Sequence, residues 1–317
     1  MKNEMNDSDF CTETNQQKQK APKRRLKCKI RRAMSGSLAL VCAFMGTHIV
    51  NGQIDPLVLS LGVYTNQEMV EQANERLLNR SSKQLTRIPV FAHRGFAQNA
   101  LDNSYAAFDI ALQSGCPQIE LDVRSSADGV YYVSHDDNIK SITGLDWLIS
   151  QKTSAELDGV LMSNGEKLHR LSEVVERYRD QMIYLVEIKD ESGDAWPFLD
   201  VVKGHPQLAQ NIQVQSFDRK VLEAIHHELP NMFVQWLIND HHKVEEALNC
   251  DWLDSIALDH ILISEDRVRT IHEHQKEVWL WTVDDLEMIH TYLSWGVDGV
   301  ITNLESAVSL YKEMAFE

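Results

Sequence analysis

In four runs between His93 and Asp136 the sequence sets two imidazoles, a guanidinium and four carboxylic acids among short apolar stretches. The runs read F-A-H-R-G, L-D-N-S, Q-I-E-L-D-V and V-Y-Y-V-S-H-D. Glu120 and Asp122 stand two apart in a strand-like run, so both side chains point to one face. Buried together they repel each other unless positive charge lies between them. Glu187, in L-V-E-I-K-D, repeats the pattern in a later run. Three carboxylates converging at strand ends offer hard oxygen donors, suited to one divalent cation, Mg2+ or Ca2+. Each acid taken alone reads equally as the partner of a nearby Arg or Lys.

His93 and His135 both end apolar runs, and histidine titrates near neutrality, so one can take a proton while the other gives one. A single histidine at a strand end is more often structural; two flanking three carboxylates point to catalysis. Arg94 and Lys189 add fixed positive charge. Arginine suits bidentate contact with a phosphate and lysine acts on it as a point charge, while salt bridges to the adjacent acids are the simpler use of both. Trp281, in V-W-L-W-T-V-D-D, either walls a pocket or packs into a core. His226, His227, His241, His242, His272 and His274 lack carboxylates at ligand spacing and read as a solvated face.

The elements that must position these groups alternate along the chain. Strand-like runs cover Ile88 to Ala92, Gln118 to Val123, Met182 to Ile188, Ile212 to Phe217, Met232 to Ile238, Ile256 to Asp259, Val278 to Val283 and Asp298 to Thr302. Helical patterns lie between them at Ser104 to Ser114, Leu171 to Tyr178, Arg219 to Glu228, Lys243 to Leu248, Glu265 to His274 and Asp285 to Trp295. Eight strands, each followed by a helix-like segment, predict an α/β fold, a (β/α)8 TIM-type barrel with its site at the C-terminal strand ends. Val130 to Ser134 breaks the alternation. It follows the second strand after only S-S-A-D-G, and Asp128-Gly129 in so short a loop predicts an extra hairpin strand. That strand would return His135 to the level of Glu120 and Asp122.

The chain has 317 residues, 43% of them apolar, and a formal charge of −16. Residues 1–32 hold ten Lys/Arg against four Asp/Glu, which leaves −22 on the remainder. So acidic a body repels polyanions and argues against nucleic acid as a partner. An anionic small substrate would need a local cationic centre. The cysteines, Cys11, Cys28, Cys42, Cys116 and Cys250, are scattered and odd in number, which supports neither a disulfide framework nor a zinc site.

Residues 1–35 are polar and then basic and read as a disordered N-terminal segment; residues 36–52 form an apolar signal or membrane-anchor segment. The apolar run is shorter than the roughly 20 residues that span a bilayer. Packing of this run on the barrel as a helix is the alternative. An extracytoplasmic or membrane-anchored location follows from the first reading, a cytoplasmic one from the second. Residues 53–87 read as a spacer or linker, and residues 88–317 as the barrel.

In order and spacing, the motifs resemble those of the glycerophosphodiester phosphodiesterase family. The matching pieces are H-R-G at 93–95, E-L-D at 120–122, D-G at 128–129, H-D at 135–136, E-I-K at 187–189, Q-S-F at 215–217, W-T-V at 281–283 and D-G-V-I-T-N at 298–303. The resemblance implies a TIM-type barrel that hydrolyses glycerophosphodiesters to glycerol 3-phosphate and an alcohol with a divalent cation. By position it implies His93 and His135 as the acid/base pair and Glu120, Asp122 and Glu187 as metal ligands. Arg94, Lys189 and Trp281 would face the substrate, with Asp102 and Asn103 in support. Three positions depart from the family pattern. Leu101-Asp102-Asn103-Ser104 stands where P-E-N-T is usual, so Asp102 is a methylene shorter than the family's glutamate. His169 replaces a proline before the L-x-E-V helix, and Asp284 replaces a common asparagine, a change expected to bear on the leaving group. A lysophospholipid or a lipid-linked glycerophosphate is the alternative substrate. A catalytically silent extracytoplasmic binding barrel is the reading from another class.

Overall fold

Pro89 shapes the first strand. It has no backbone N–H to place in a ladder, and in the computed structural model, which describes residues 87–190 and 193–315, β1 is only Val90–Ala92 rather than a strand from Ile88. The Gln118 side chain completes the missing rungs. Its amide accepts from Ile88 N at 2.9 Å and donates to the carbonyls of Ile88 and Val90 at 2.8 and 2.9 Å. The segments expected at residues 1–35, 36–52 and most of 53–87 lie outside the described residues.

The other strands are β2 (Gln118–Ser125), β3 (Tyr131–Val133), β4 (Ile183–Ile188), β5 (Ile212–Ser216), β6 (Phe233–Ile238), β7 (Ser255–Asp259), β8 (Glu277–Trp281) and β9 (Gly299–Thr302). Their order is β1-β9-β8-β7-β6-β5-β4-β2-β3, and a β1–β2 pairing closes the ring. Every barrel pairing is parallel; only β2–β3 is antiparallel. The fold is therefore a closed eight-stranded (β/α)8 barrel with one extra strand bonded outside it. β2 is long enough to pair with β1 low down (Ala92↔Ile119) and with β3 above (Val123↔Val133). Gly129, at φ +80°, turns that hairpin. Ser134 N donates to Asp122 O at 3.0 Å, which returns His135 to the height of the acids.

Helices occupy the predicted intervals: α1 (Tyr105–Ser114) follows β1, α4 (Leu171–Tyr178) precedes β4, α6 (Arg219–Glu228) follows β5, α7 (His241–Leu248) follows β6, α8 (Glu265–Glu273) follows β7 and α9 (Leu286–Ser294) follows β8. Two further helices, α5 (Trp196–Gly204) and α10 (Ser306–Met314), complete the alternation. Between β3 and α4 the chain makes an excursion with short helices α2 (Lys140–Thr143) and α3 (Ser154–Leu157) and its own small core of Tyr132, Ile139, Ile149, Leu157 and Leu168.

Strand parity sorts the core into two layers. Ile119, Leu121 and Val123 of β2 join the outer core under the helices. Their alternates face the lumen, where Phe91, Ile183, Leu185, Leu237, Ala257, Trp279 and Ile301 form a separate apolar cluster. Gly299 is part of that packing, because a Cβ there would meet the Trp279 ring at 2.3 Å. Cys116 and Cys250 are both buried and free.

Candidate active site

The sharp turn after β1 places the first site residues. Arg94 and Gly95 both have positive φ, 54° and 72°, so the chain reverses just above the strand. A Cβ on Gly95 would lie 2.6 Å from the backbone of Ala107. Left-handed strain and that clash act together. Gly95→Ala is expected to cost at least about 2 kcal/mol in urea unfolding, and an unchanged midpoint would show that the turn yields freely. The same turn points Arg94 N at Glu120 Oε2, at 3.1 Å.

Glu120, Asp122 and Glu187 meet as their two-residue spacing demands. β2 and β4 are in register with Asp122 opposite Glu187, all three side chains are buried, and one ligand atom from each lies within 4.8 Å of the others. Asn103 clamps the centre of the group. Its amide nitrogen donates to Asp122 Oδ2 at 2.9 Å and its oxygen accepts from Asp122 N at 3.2 Å. Asn103 adopts φ 56°, a conformation asparagine tolerates better than most residues. Arg94 reaches Asp122 Oδ2 through Nε at 3.2 Å and Asp102 Oδ2 through Nη1 at 3.1 Å. The short Asp102 side chain therefore does reach Arg94. Lys189 Nζ bridges Glu187 Oε1 at 2.7 Å and Asp122 Oδ1 at 3.5 Å.

Three buried acids against two fixed cations leave a negative surplus, and the acids respond unequally. Burial raises Glu120 well above the ordinary carboxylate value, and repulsion from Asp122 and Glu187 adds to it. Glu187 is pushed up to about 7, first by burial and then by Asp122, against the pull of Lys189. Burial also opposes ionisation of Asp122, but Arg94, Lys189 and the Asn103 bond outweigh it and hold Asp122 below its usual range. Clustered oxygen donors that burial and mutual repulsion drive to hold protons fit a hard divalent cation, which would take the protons' place.

A hydrogen-bonded file runs behind Glu120, and of its members only Gln215, in Q-S-F, stands in a motif of the sequence. Ser255 Oγ donates to Gln235 Oε1 at 2.8 Å, Gln235 Nε2 to Gln215 Oε1 at 2.9 Å, and Gln215 Nε2 to Glu120 Oε1 at 3.2 Å. All the donors run toward the acid. Gln215→Leu would leave Glu120 and Gln235 each short of a buried partner. The expected cost is about 1–3 kcal/mol of unfolding free energy, with weaker stabilisation by added cation. Wild-type values for both would remove the file from the site.

His93 lies at the end of β1, bonded to β9 through His93 N and Thr302 O at 2.9 Å. Burial first, and Arg94 second, lower its pKa below the ordinary 6.5, against the pull of Asp122. His135 follows β3, with Nδ1 2.8 Å from Asp136 Oδ1 and a third of its side chain exposed. Both imidazoles lie within electrostatic reach of Asp122. Trp281 stands inward at the end of β8, half-buried, its indole N–H on Ala257 O at 3.0 Å and its ring edge-on to Phe217 at 5.3 Å. It packs on the lumen cluster while part of its surface stays open. Asp284 holds the end of β9, accepting from Asn303 and Thr302.

The solvated-face expectation for the other histidines needs correction at two of them. His272 is paired rather than merely solvated, its Nε2 2.8 Å from Asp298 Oδ2, and His226 stacks on Trp252 at 5.6 Å. These partners come from distant segments, so residue spacing could not announce them. His169, which stands where the family has proline, has partners that a proline could not have. It stacks on Tyr105 at 3.6 Å and meets Glu166 at 2.8 Å, and Glu166 in turn caps the first turn of α1.

A closed parallel barrel with a buried acid cluster at the C-terminal ends of its strands defines a (β/α)8-barrel enzyme. The model of the glycerophosphoryl diester phosphodiesterase family matches residues 93–304, and the chain belongs to that family. A glycerophosphodiester phosphodiesterase of Bacillus altitudinis is 28% identical over 246 residues, covering 71% of this chain and 98% of that protein. The human lysophospholipase D GDPD1 is 35% identical over 101 residues, 32% of each chain. Among solved structures, the glycerophosphodiester phosphodiesterase of Thermotoga maritima superposes with a TM-score of 0.60 at 27% identity, covering 73% of this chain and all of that one. An Oleispira antarctica phosphodiesterase, solved with the product sn-glycerol-3-phosphate, shares the fold with a TM-score of 0.65 at 22% identity, over 71% of this chain and 97% of its own.

Proposed function

We propose that the barrel hydrolyses glycerophosphodiesters to glycerol 3-phosphate and an alcohol, with one divalent cation, Mg2+ or Ca2+, held by Glu120, Asp122 and Glu187. The observation that carries this reading is the acid triad, gathered within 4.8 Å and within reach of two imidazoles on the same rim. When bound, the cation supplies positive charge beside the phosphoryl group. Arg94 and Lys189, now paired to the acids, are placed to offset charge that builds on the phosphoryl oxygens. One histidine takes the proton of the attacking hydroxyl and the other protonates the departing alcohol. With water as the nucleophile this yields glycerol 3-phosphate directly, and with a glycerol hydroxyl it yields a cyclic phosphate that water opens in a second step. Phe217 and Trp281 give the mouth an apolar wall.

A second substrate reading rests on exposed apolar residues at the same rim. Trp196 (59% exposed), Ile261 (74%) and Leu286 (38%) lie in segments leaving β4, β7 and β8. Such a rim suits an acylated substrate, a lysophospholipid or a lipid-linked glycerophosphate, and residues 36–52 would bring the barrel to a membrane outside the cytoplasm. Turnover of glycerophosphocholine, glycerophosphoethanolamine and a lysophospholipid, compared with and without Mg2+ or Ca2+, tests both. Cation-dependent release of glycerol 3-phosphate supports the first, and preference for the acylated substrate the second. No hydrolysis of any under all conditions would favour a silent binding barrel.

A further inference from the structure

The ring of His93 is held from behind by two residues that do not belong to the acid cluster. Its Nδ1 faces Asn303 Oδ1 at 2.9 Å. The Asn303 amide nitrogen donates to Asp284 Oδ2 at 2.7 Å. Asp284 Oδ1 accepts from Asn303 N at 2.8 Å and from Thr302 Oγ1 at 3.1 Å. β9 is the neighbour of β1, so the strand that takes the backbone N–H of His93 also presents the group that meets its ring.

The chemistry of the partners sets the direction of every bond. A carboxylate accepts and does not donate, so the Asn303 atom facing Asp284 is the amide nitrogen. The atom left for His93 is the carbonyl oxygen, which also only accepts. The imidazole nitrogen facing it must therefore carry the hydrogen. A neutral ring with its proton on Nδ1 has its lone pair on Nε2.

We propose that Asp284 and Asn303 are positioning residues that hold His93 in the Nδ1–H form, so that Nε2 alone exchanges a proton with the substrate. This rests on the reading of His93 as a proton-transfer group. Asp284 works through Asn303: by saturating the amide N–H it prevents the flip that would turn an NH2 toward His93 and move the ring proton to Nε2. A mere staple of the β8–β9 loop would affect folding and leave the ring's protonation alone.

Asn303→Ala, Asp284→Asn, Asn303→Asp and the double swap Asp284→Asn/Asn303→Asp separate the two roles. Asn303→Ala and Asp284→Asn are each expected to lower kcat on the order of ten- to a hundredfold, the scale typical of residues that orient a functional histidine through its other ring nitrogen, with KM nearly unchanged. Asn303→Asp keeps an acceptor on Nδ1 but faces Asp284 with a second carboxylate, so its cost is expected in the melting temperature. The double swap restores the order of donors: the new amide at 284 donates to the new carboxylate at 303, which accepts the His93 hydrogen. It is expected to recover most of the lost rate. Nitrogen-15 spectra of the His93 ring should place the proton on Nδ1 in the wild type and show mixed tautomers in Asn303→Ala. Asn303→Ala or Asp284→Asn with wild-type kcat, or a double swap that melts normally yet is no faster than Asp284→Asn, would overturn the proposal. If the wild type hydrolyses no glycerophosphodiester, the assigned reaction fails, and the spectra still decide the relay: a wild-type proton on Nε2 overturns it.

Discussion

His93→Ala and His135→Ala are each expected to lower kcat by about a hundredfold or more, the usual contribution of a positioned acid or base. The loss should fall on kcat rather than on cation affinity, because neither imidazole belongs to the acid triad. His135 is the cleaner test, since a third of its side chain is exposed and its removal opens little packing. His93 is half-buried, so its variant also needs a melting curve to separate chemistry from folding. Burial and Arg94 lower the pKa of His93, which keeps its ring available as a proton acceptor at neutral pH. Turnover of glycerophosphocholine at saturating cation is the measurement. A variant lacking both rings that kept full activity would end the acid/base assignment.

Removal of divalent cations by EDTA is expected to reduce turnover on the order of a thousandfold, since such an ion supplies several kcal/mol of charge stabilisation. Its return should be pH-dependent in a sense the carboxylates dictate. Glu187 is held at about 7 against an ordinary 4.5, by burial and then by Asp122. An acid raised in the folded state contributes stability that is complete below its unfolded value and is lost as pH rises through its folded one. Cation-free protein therefore loses this contribution between about 4.5 and 7. Cation binding requires the ionised ligands and displaces their protons, so the rise in Tm on adding Mg2+ or Ca2+ should grow across that same window. Asp122→Asn should abolish the rise. An increment that is flat with pH, or intact in that variant, would mean the ion binds elsewhere.

The chain by itself determined the barrel and the acids. Runs of β-branched residues alternating with amphipathic ones marked the strands, and the two-residue spacing of Glu120 and Asp122 put both on one face of β2, which barrel closure made the lumen. Asp128-Gly129 likewise announced the hairpin that returns His135. These signals are local, carried within one element or one turn. Tertiary structure alone decided the partners. His93 meets Asn303 across 210 positions, and Gln215 meets Glu120 across 95. Such pairs arise because barrel closure sets β1 beside β9 and strand register brings β2 and β5 to one layer of the lumen. No periodicity in a single segment encodes which distant strand will supply the opposite atom. The small core of the excursion between β3 and α4 was equally hidden, since its apolar residues follow neither a helical nor a strand period until β3 gives them a wall to pack on.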